Sequence, residues 1–169
     1  PEAVTFPGGG EDVVLSGTLT LPEGDGPFPA IVLVSGSGPQ DRDETITGTA
    51  MKPFALLAEG ITPAGVAVLR YDDRGTGEST GDFNSAVTAD FAADAAAALA
   101  YLATRDDIAP DQIGVFGHSE GGLVAASLGA HALPAFIISL AGPGVTGMDV
   151  LLLQNRRIME ADGVSEEII

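Results

Sequence analysis

Residues 117–122, which read Gly-His-Ser-Glu-Gly-Gly, constrain the fold of this chain more than any other stretch. An apolar run at residues 112–116 precedes them and a small-residue helical pattern at residues 123–132 follows, which predicts a strand, a sharp turn and a helix. The two flanking segments must then pass within contact distance of each other, and only very small side chains permit this. Glycines two residues before and two residues after Ser119 meet that requirement.

Ser119 is therefore expected at the apex of the turn, in a strained backbone, with its hydroxyl exposed above the sheet. A unit of this kind is called a nucleophile elbow, because it presents the serine oxygen for attack on a substrate. The alternative is a glycine-rich turn in which Ser119 only caps the helix, since serine is a preferred N-cap residue and glycine is common in turns. The predicted strand and helix on either side favour the nucleophile.

The composition excludes several classes of protein. With 169 residues, of which 45% are hydrophobic and 18% charged, the chain fits one folded domain and is not a disordered chain. A formal net charge of -17 repels phosphate backbones and anionic lipid, so neither nucleic acid nor a membrane surface is expected as a partner. The absence of cysteine excludes disulfides, thiolate metal sites and a cysteine nucleophile within this sequence. No signal-peptide pattern is found at Pro1, and no compartment is predicted.

Apolar runs that alternate with helical patterns predict the fold class. Strands are predicted at residues 4–6, 13–21, 30–34, 66–71, 112–116 and 135–140, and helices at residues 52–61, 88–104, 123–132 and 150–159. The first two strands suggest an antiparallel start to the sheet. Residues 30–34 are apolar at every position, which is typical of a strand covered on both faces in a parallel sheet. The sequence therefore predicts an α/β protein with a mostly parallel, doubly wound sheet. Thr88 is the expected cap of its helix.

Three loops with polar or glycine-rich sequences follow predicted strands. The loops at residues 35–44, 72–79 and 117–122, the last of which contains Ser119, each come directly after one of these strands. In open α/β sheets, ligands bind outside the carboxyl ends of the strands. We therefore expect the three loops to meet at one edge of the sheet.

The loop at residues 35–44 allows two interpretations that involve a bound cofactor or metal. Gly36 and Gly38 resemble half of a dinucleotide fingerprint, but Asp41 replaces the third glycine and no helix begins there, which argues against a nicotinamide cofactor. A metal site is conceivable, but Arg42 lies among the acidic residues, and a solvated rim is favoured. Those acidic residues are Asp41, Asp43 and Glu44. No cofactor and no metal are predicted.

A third use of the same loop involves its backbone. N–H groups in a glycine-rich turn at the carboxyl end of a central strand can point at a developing oxyanion. Such a use would place Ser37 near Ser119 in space.

Asp72 and Asp73 begin the loop after the next predicted strand. Carboxylates near the functional edge have to be considered as catalytic groups. Bracing of the loop through an ion pair with Arg70 or Arg74 is the favoured interpretation.

Taken together, four motifs resemble the α/β-hydrolase superfamily, in particular its bacterial serine esterase and serine aminopeptidase-like branch. These motifs lie at residues 35–38, 38–44, 71–79 and 117–122. The resemblance extends over about residues 13–159. It implies acyl transfer to water through a covalent acyl-Ser119 intermediate. It also implies an oxyanion hole made by the backbone N–H groups of Ser37 and Glu120. Ser35 stands where the family often has histidine, so only the backbone role of that loop is carried over.

The family's triad also contains an acid and then a histidine, which follow the serine in the chain. His118 belongs to the turn itself, and its side chain is expected to point away from that of Ser119 and to make a structural contact. His131 lies 12 residues along the following helix, about 18 Å away at 1.5 Å per residue, and cannot reach the Ser119 hydroxyl. Asp149 and Asp162 are weak candidates for the acid, because neither lies at the immediate exit of a predicted strand.

The resemblance therefore predicts the amino-terminal part of a longer hydrolase. Residues 1–144 are expected to form part of its core, and residues 145–169 the start of a helical lid, with a further helix beginning at residues 165–167. The acid and base would come from a carboxy-terminal segment that is absent here, or from a second chain. The 169-residue piece alone is expected to show little turnover.

The function expected from these features is hydrolysis of small-molecule carboxylic esters with short acyl groups. Peptidase, thioesterase and sugar-ester hydrolase activities are alternatives within the same mechanism. An alternative from another class is a non-catalytic binding protein of the same fold, in which Ser119 is only a turn residue. A nicotinamide or flavin enzyme is a third hypothesis.

Overall fold

The computed structural model describes residues 1–165, so the predicted helix start at residues 165–167 depends on positions outside the described residues. The strands are β1 (Glu2–Pro7), β2 (Val14–Thr20), β3 (Phe28–Val34), β4 (Ala67–Tyr71), β5 (Ile108–His118) and β6 (Ile137–Leu140). The helices are α1 (Pro53–Ile61), α2 (Thr88–Ala103), α3 (Glu120–Ala130) and α4 (Gly147–Ala161), with a short 3-10 helix at Thr62–Ala64.

All six strands form one sheet in the order β1-β2-β4-β3-β5-β6. β1 pairs antiparallel with β2, and β2 pairs antiparallel with β4, as the sequence suggests for the start of the chain. β3, β5 and β6 run parallel to β4 and to one another. The mostly parallel α/β sheet expected from the sequence is therefore confirmed.

β3 lies between β4 and β5, and its side chains are buried on both faces of the sheet. Val32 packs in a cluster with residues of α2 and α3, such as Leu102 and Val124. Its neighbours Ile31 and Leu33 point to the opposite face, where they pack with Phe54 of α1 and other apolar side chains. Helices thus cover both faces, and this is why an uninterrupted apolar run forms the strand.

α2 presents an apolar stripe to the sheet, with Ala95, Leu99 and Leu102 buried. Its predicted cap is wrong, because Val87 occupies the N-cap position, where its N–H donates to the Asp90 carboxylate at 2.8 Å. The acidic side chain of Asp90 in the first turn satisfies the Val87 N–H and suits the helix dipole. The Thr88 hydroxyl is therefore available for a contact elsewhere.

The last two elements are built differently from the rest. All four residues of β6 are exposed, and no residue of α4 is buried. The division of the chain at residue 144 into core and lid remains a prediction. Among the described residues, no helix combines the length and the apolar character needed to cross a membrane.

Candidate active site

Ser119 occupies a sharp turn between β5 and α3. β5 ends at His118, α3 begins at Glu120, and the single residue between them has φ 52° and ψ -116°. Positive φ is costly for a residue with a Cβ, so it is found where surrounding contacts impose it. Here the Ser119 N–H donates to the carbonyl oxygen of Leu140 at 2.9 Å, and its own carbonyl accepts from the N–H of Gly122 at 2.9 Å. The expected strand, strained turn and helix are all present.

Glycine is required on both sides of the turn because backbone segments touch there. A Cβ at Gly117 would lie 1.9 Å from the carbonyl oxygen of Gly121, and one at Gly121 would lie 2.2 Å from the carbonyl oxygen of Val34. Real Cβ atoms do not approach backbone so closely. The close pass predicted from the spacing of glycines around Ser119 is therefore found.

The loop that follows β3 lies against this turn. A Cβ at Gly36 would lie 3.2 Å from the Cβ of Ser119, so the loop backbone is in van der Waals reach of the serine. Ser37, Ser119 and Glu120 line the same pocket. The structure thus brings together the residues that the sequence analysis selected, although their chemical roles stay predictions.

Glu44, in the same loop, connects the loop to the turn. Its Oε1 accepts from the Gly36 N–H at 2.9 Å and lies 2.7 Å from Nδ1 of His118. The side chain is buried, and the residue has φ 52°. His118 therefore makes a structural contact, as expected, whereas the prediction of a solvated acidic rim is wrong for Glu44.

The other two acidic residues of this loop also have protein partners. Asp41 accepts from the N–H and the hydroxyl of Thr45, and Asp43 pairs with Arg70 and Lys52. Within residues 1–165, no group of three or more His, Cys, Asp or Glu side chains is arranged to hold a metal ion. Asp41 thus braces the loop through Thr45 of the loop itself, and Asp43 joins it to Arg70 of β4 and to Lys52 directly before α1.

Asp72 braces the loops as predicted, but its partner differs from the predicted Arg70 or Arg74. The Arg42 backbone N–H donates to Asp72 at 2.7 Å and its Nε at 3.0 Å. Although burial opposes ionisation, the hydrogen bonds from Arg42 hold the pKa of Asp72 below its ordinary value. Arg74 pairs instead with Asp94 of α2, at 2.7 Å.

Asp73 connects the loop after β4 to the loop after β3. Its two carboxylate oxygens accept from the Ser35 hydroxyl at 2.9 Å and from the Gln40 N–H at 3.0 Å. Burial, helped by the nearby carboxylates of Asp94 and Asp72, raises the pKa of Asp73 to about 7. Ser35 therefore contributes a side-chain contact as well as backbone to this loop.

A pocket of about 460 Å³ opens beside Ser119. Its other wall consists mainly of apolar side chains from the segment after β6 and from α4, among them Val145, Val150 and Leu151. The Thr88 hydroxyl donates to the Glu120 carboxylate at 2.7 Å, and both residues line the pocket. The site therefore combines a polar floor with an apolar wall.

Neither histidine of this sequence is placed as a partner of the Ser119 hydroxyl. His118 contacts Glu44 through Nδ1, and His131 is an exposed residue directly after α3. Within residues 1–165, no hydrogen bond joins Ser119 Oγ to an imidazole. Thr146 is the N-cap of α4, and Asp149 in the first turn is its partner: the Thr146 hydroxyl accepts from the Asp149 N–H and donates to the Asp149 carboxylate.

Comparison with known proteins identifies the family. The family model described as X-Pro dipeptidyl-peptidase (S15 family) matches residues 9–162. The chain belongs to this family. The relative esterase EstD of Thermotoga maritima is 36% identical over 129 residues, which make up 76% of this chain and 30% of EstD.

Solved structures agree on the fold. The α/β hydrolase GrgF from Penicillium sp. sh18 superposes with a TM-score of 0.71 at 22% identity, covering 96% of this chain and 55% of GrgF. XC6422 from Xanthomonas campestris, a serine hydrolase without a lid, gives a TM-score of 0.63 at 25% identity, covering 84% of this chain and 61% of that protein. The predicted α/β-hydrolase superfamily is confirmed. The chain spans about a third of EstD and about half of GrgF.

Two residues at the site were missed by the sequence analysis, namely Glu44 and Thr88. Glu44 was treated only as part of an acidic run, and Thr88 only as a helix cap. The run of polar residues ahead of Glu44 was a usable signal, because such a run directly after a central strand needs internal partners. Thr88 carried no signal of its contact, since its partner Glu120 lies 32 positions away.

Proposed function

We propose that the protein hydrolyses carboxylic esters through a covalent acyl-Ser119 intermediate. The observation that carries this proposal is the strained turn at Ser119, which sits at a pocket of about 460 Å³ with an apolar wall. A serine held at positive φ between a strand and a helix exposes its hydroxyl to a ligand at the carboxyl edge of the sheet. The name of the esterase EstD supports the same chemistry.

The reaction requires stabilisation of the negative charge that develops on the substrate carbonyl oxygen. We assign this role to the backbone N–H groups of Ser37 and Glu120. Glu120 is the first residue of α3, where N–H groups have no partner within the helix and the dipole favours negative charge. Loss of one such donor raises the barrier by about 3 kcal/mol.

In the proposed reaction, Ser119 Oγ attacks the carbonyl carbon of the ester and gives up its proton to a general base. The tetrahedral intermediate collapses, the alcohol leaves with a proton, and water then hydrolyses the acyl-Ser119 ester. The base and its supporting acid are proposed to come from a segment outside residues 1–165 or from a second chain. This proposal follows from the positions of His118, which contacts Glu44, and His131, which is exposed beyond α3.

The pocket wall supports a small, apolar acyl group. The volume of about 460 Å³ accommodates a short chain, and Val150, Leu151 and Leu153 offer apolar contact along α4. The proposed partner is thus a small-molecule ester, and the net charge of -17 argues against nucleic acid or anionic lipid. A peptidase is the second candidate, because the family description names an X-Pro dipeptidyl-peptidase and the same acyl-serine chemistry cleaves amides.

The proposal is tested in the full-length polypeptide that contains this sequence. A fluorophosphonate probe should attach one label to each chain, on Ser119 and with loss of fluoride, and chromogenic short-chain esters should be turned over. Ser119→Ala should abolish labelling and lower kcat/KM by at least about 10³-fold. Ser127→Ala, an exposed serine on α3, is the matched control and should behave as wild type.

Equal ester turnover by wild type and Ser119→Ala would remove the serine from the mechanism. Absence of both labelling and turnover in the full-length polypeptide would favour a non-catalytic binding protein instead. Faster cleavage of X-Pro chromogenic amides than of esters would favour the peptidase.

A further inference from the structure

We propose that Glu44 is a positioning residue that locks the turn at Gly36 and Ser37 onto His118, next to the nucleophile. This inference rests on the proposed function, because it concerns how the oxyanion site of Ser119 is held. Glu44 itself does not touch the substrate carbonyl in this proposal. It acts through the backbone of its neighbours.

A single carboxylate oxygen joins two separate segments of the chain. Oε1 of Glu44 accepts from the Gly36 N–H, which follows β3, and contacts Nδ1 of His118, which ends β5. Both distances are short, at 2.9 Å and 2.7 Å. Because one oxygen makes both contacts, a displacement of the Glu44 side chain would loosen both segments at once.

The bridge lies directly beside the proposed reaction centre. A Cβ at Gly36 would lie 3.2 Å from the Cβ of Ser119 and 3.4 Å from each of the two bridging atoms, Oε1 of Glu44 and Nδ1 of His118. Gly36 also precedes Ser37, whose N–H is the proposed donor to the oxyanion. The orientation of the Gly36 peptide therefore influences where that N–H points.

Glu44 is held in this position at an energetic cost. Its φ is 52°, and it is only 8% exposed, so both its backbone conformation and its carboxylate are unfavourable in isolation. The surrounding loop imposes the geometry: the Glu44 N–H donates to the Asp41 carbonyl at 2.9 Å, and the Asp41 carboxylate in turn binds Thr45. A strained backbone of this kind next to a nucleophile is typical of a functional constraint.

The contact also holds the imidazole of His118 in place. Nδ1 of His118 lies 2.7 Å from Oε1 of Glu44, and the ring lies beside the Gly36 turn. Two rigid partners, one on each side, are what an oxyanion turn needs to keep its donors in place before substrate arrives.

The test changes the charge and the length of the side chain at position 44 separately, in the full-length polypeptide that contains this sequence. Glu44→Gln retains an oxygen at the same reach, so it still accepts from Gly36 and His118, and kcat for a chromogenic ester should stay within about tenfold of wild type. Glu44→Asp keeps the charge but shortens the side chain by one methylene, and kcat should fall about 100-fold, as expected for a misplacement of about 1 Å. Aspartate is tolerated at positive φ, so this variant should fold.

KM should change by less than about threefold in both variants, because the oxyanion forms after binding. Glu59→Ala, an exposed carboxylate on α1, is the matched control for loss of charge and should leave kcat unchanged. Thermal unfolding midpoints of all variants establish that the proteins are folded at the assay temperature.

Each other outcome overturns the proposal. Wild-type kcat in Glu44→Asp would show that reach does not matter, and a 100-fold loss in Glu44→Gln would show that the charge acts directly. A rise in KM with unchanged kcat would assign Glu44 to substrate binding. Ser119→Ala separates failure of the proposed function from failure of the role of Glu44. Activity that survives Ser119→Ala would defeat the proposed function. An inactive Ser119→Ala together with normal Glu44 variants would defeat only the role of Glu44.

Discussion

The protein regions on the two sides of the pocket beside Ser119 are built in opposite ways. On the side of the turn, charged groups are buried in pairs and networks, as with Arg74 and Asp94 or the contacts of Asp73. On the side of α4, no residue is buried, and the ion pairs of Glu160 with Arg156 and Arg157 lie on the surface. The region on the side of the turn is held by buried contacts, whereas α4 has none.

Under the proposed function, this difference separates the residues that carry out the chemistry from those that contact the acyl group. Groups that must be placed to within a fraction of an ångström need backbone that is held on both sides, as the N–H and the carbonyl of Ser119 are held by Leu140 and Gly122. The apolar wall requires only surface and volume, since contact with an acyl chain is not directional.

The largest expected effect comes from Gly117→Ala. The new Cβ would lie 1.9 Å from the Gly121 carbonyl oxygen, so backbone has to move and the turn opens. We expect a loss of more than about 4 kcal/mol in the free energy of unfolding, measured by urea denaturation. Gly147→Ala at the start of α4 is the matched control, with nothing within 4 Å of its Cβ, and should be neutral or stabilising by up to about 1 kcal/mol. Similar losses for the two variants would contradict the contrast between the turn at Ser119 and α4.

Asp94→Ala should have the next largest effect. Asp94 is 1% exposed and pairs with Arg74, so its removal leaves a buried guanidinium without its carboxylate and costs about 3 kcal/mol. Glu160→Ala removes a carboxylate from the exposed pairs of α4 and should give no measurable change in the urea midpoint. An equally small effect of Asp94→Ala and Glu160→Ala on the urea midpoint would contradict the contrast between the buried and the exposed ion pairs.

Asp73 should make the free energy of unfolding depend on pH. Burial raises the pKa of Asp73 from 3.8 to about 7, so between these values the folded protein keeps a proton that the unfolded chain has released. Stability from this group is therefore highest at low pH and is lost as the pH rises towards 7. Urea unfolding should show that wild type loses about 2 kcal/mol more than Asp73→Asn between pH 5 and pH 8. Parallel pH profiles for the two proteins would show that Asp73 is ionised throughout this range.

The smallest effect on the free energy of unfolding is expected from a substitution on α4. Leu152 is 62% exposed, so Leu152→Gln should change the free energy of unfolding by less than about 0.5 kcal/mol. The same change at Leu128, which is 4% exposed on α3, should cost several times more, because it buries an amide among apolar side chains. Equal costs at the two positions would show that α4 is packed as tightly as α3 in solution.

Much of the fold could be predicted because it follows from local patterns. The apolar run of β3 and the stripe of α2 reflect burial that repeats with the period of each element, and spacing in the chain reports it directly. The turn at Ser119 was equally accessible, because the glycines that permit it are its near neighbours in sequence. The membership in the α/β-hydrolase superfamily followed from such short motifs.

The partners of the charged residues could not be predicted in the same way. Asp72 was expected to pair with a nearby arginine of its own segment, but it pairs with Arg42, 30 positions earlier. Proximity along the chain was the wrong guide, because the carboxyl ends of neighbouring strands bring distant loops side by side. The cap of α2 failed for a related reason, since the hydroxyl of Thr88 finds a partner on α3.

By itself, the sequence determined the order of strands and helices and the position of the strained serine, since glycine spacing and apolar periodicity act over a few residues. Only the tertiary structure decided that Glu44 is buried against His118, 74 positions away, and that Asp73 joins two loops. A carboxylate finds its partner only when the sheet has assembled, and burial then makes that partner obligatory, because an unpaired charge inside the protein is too costly.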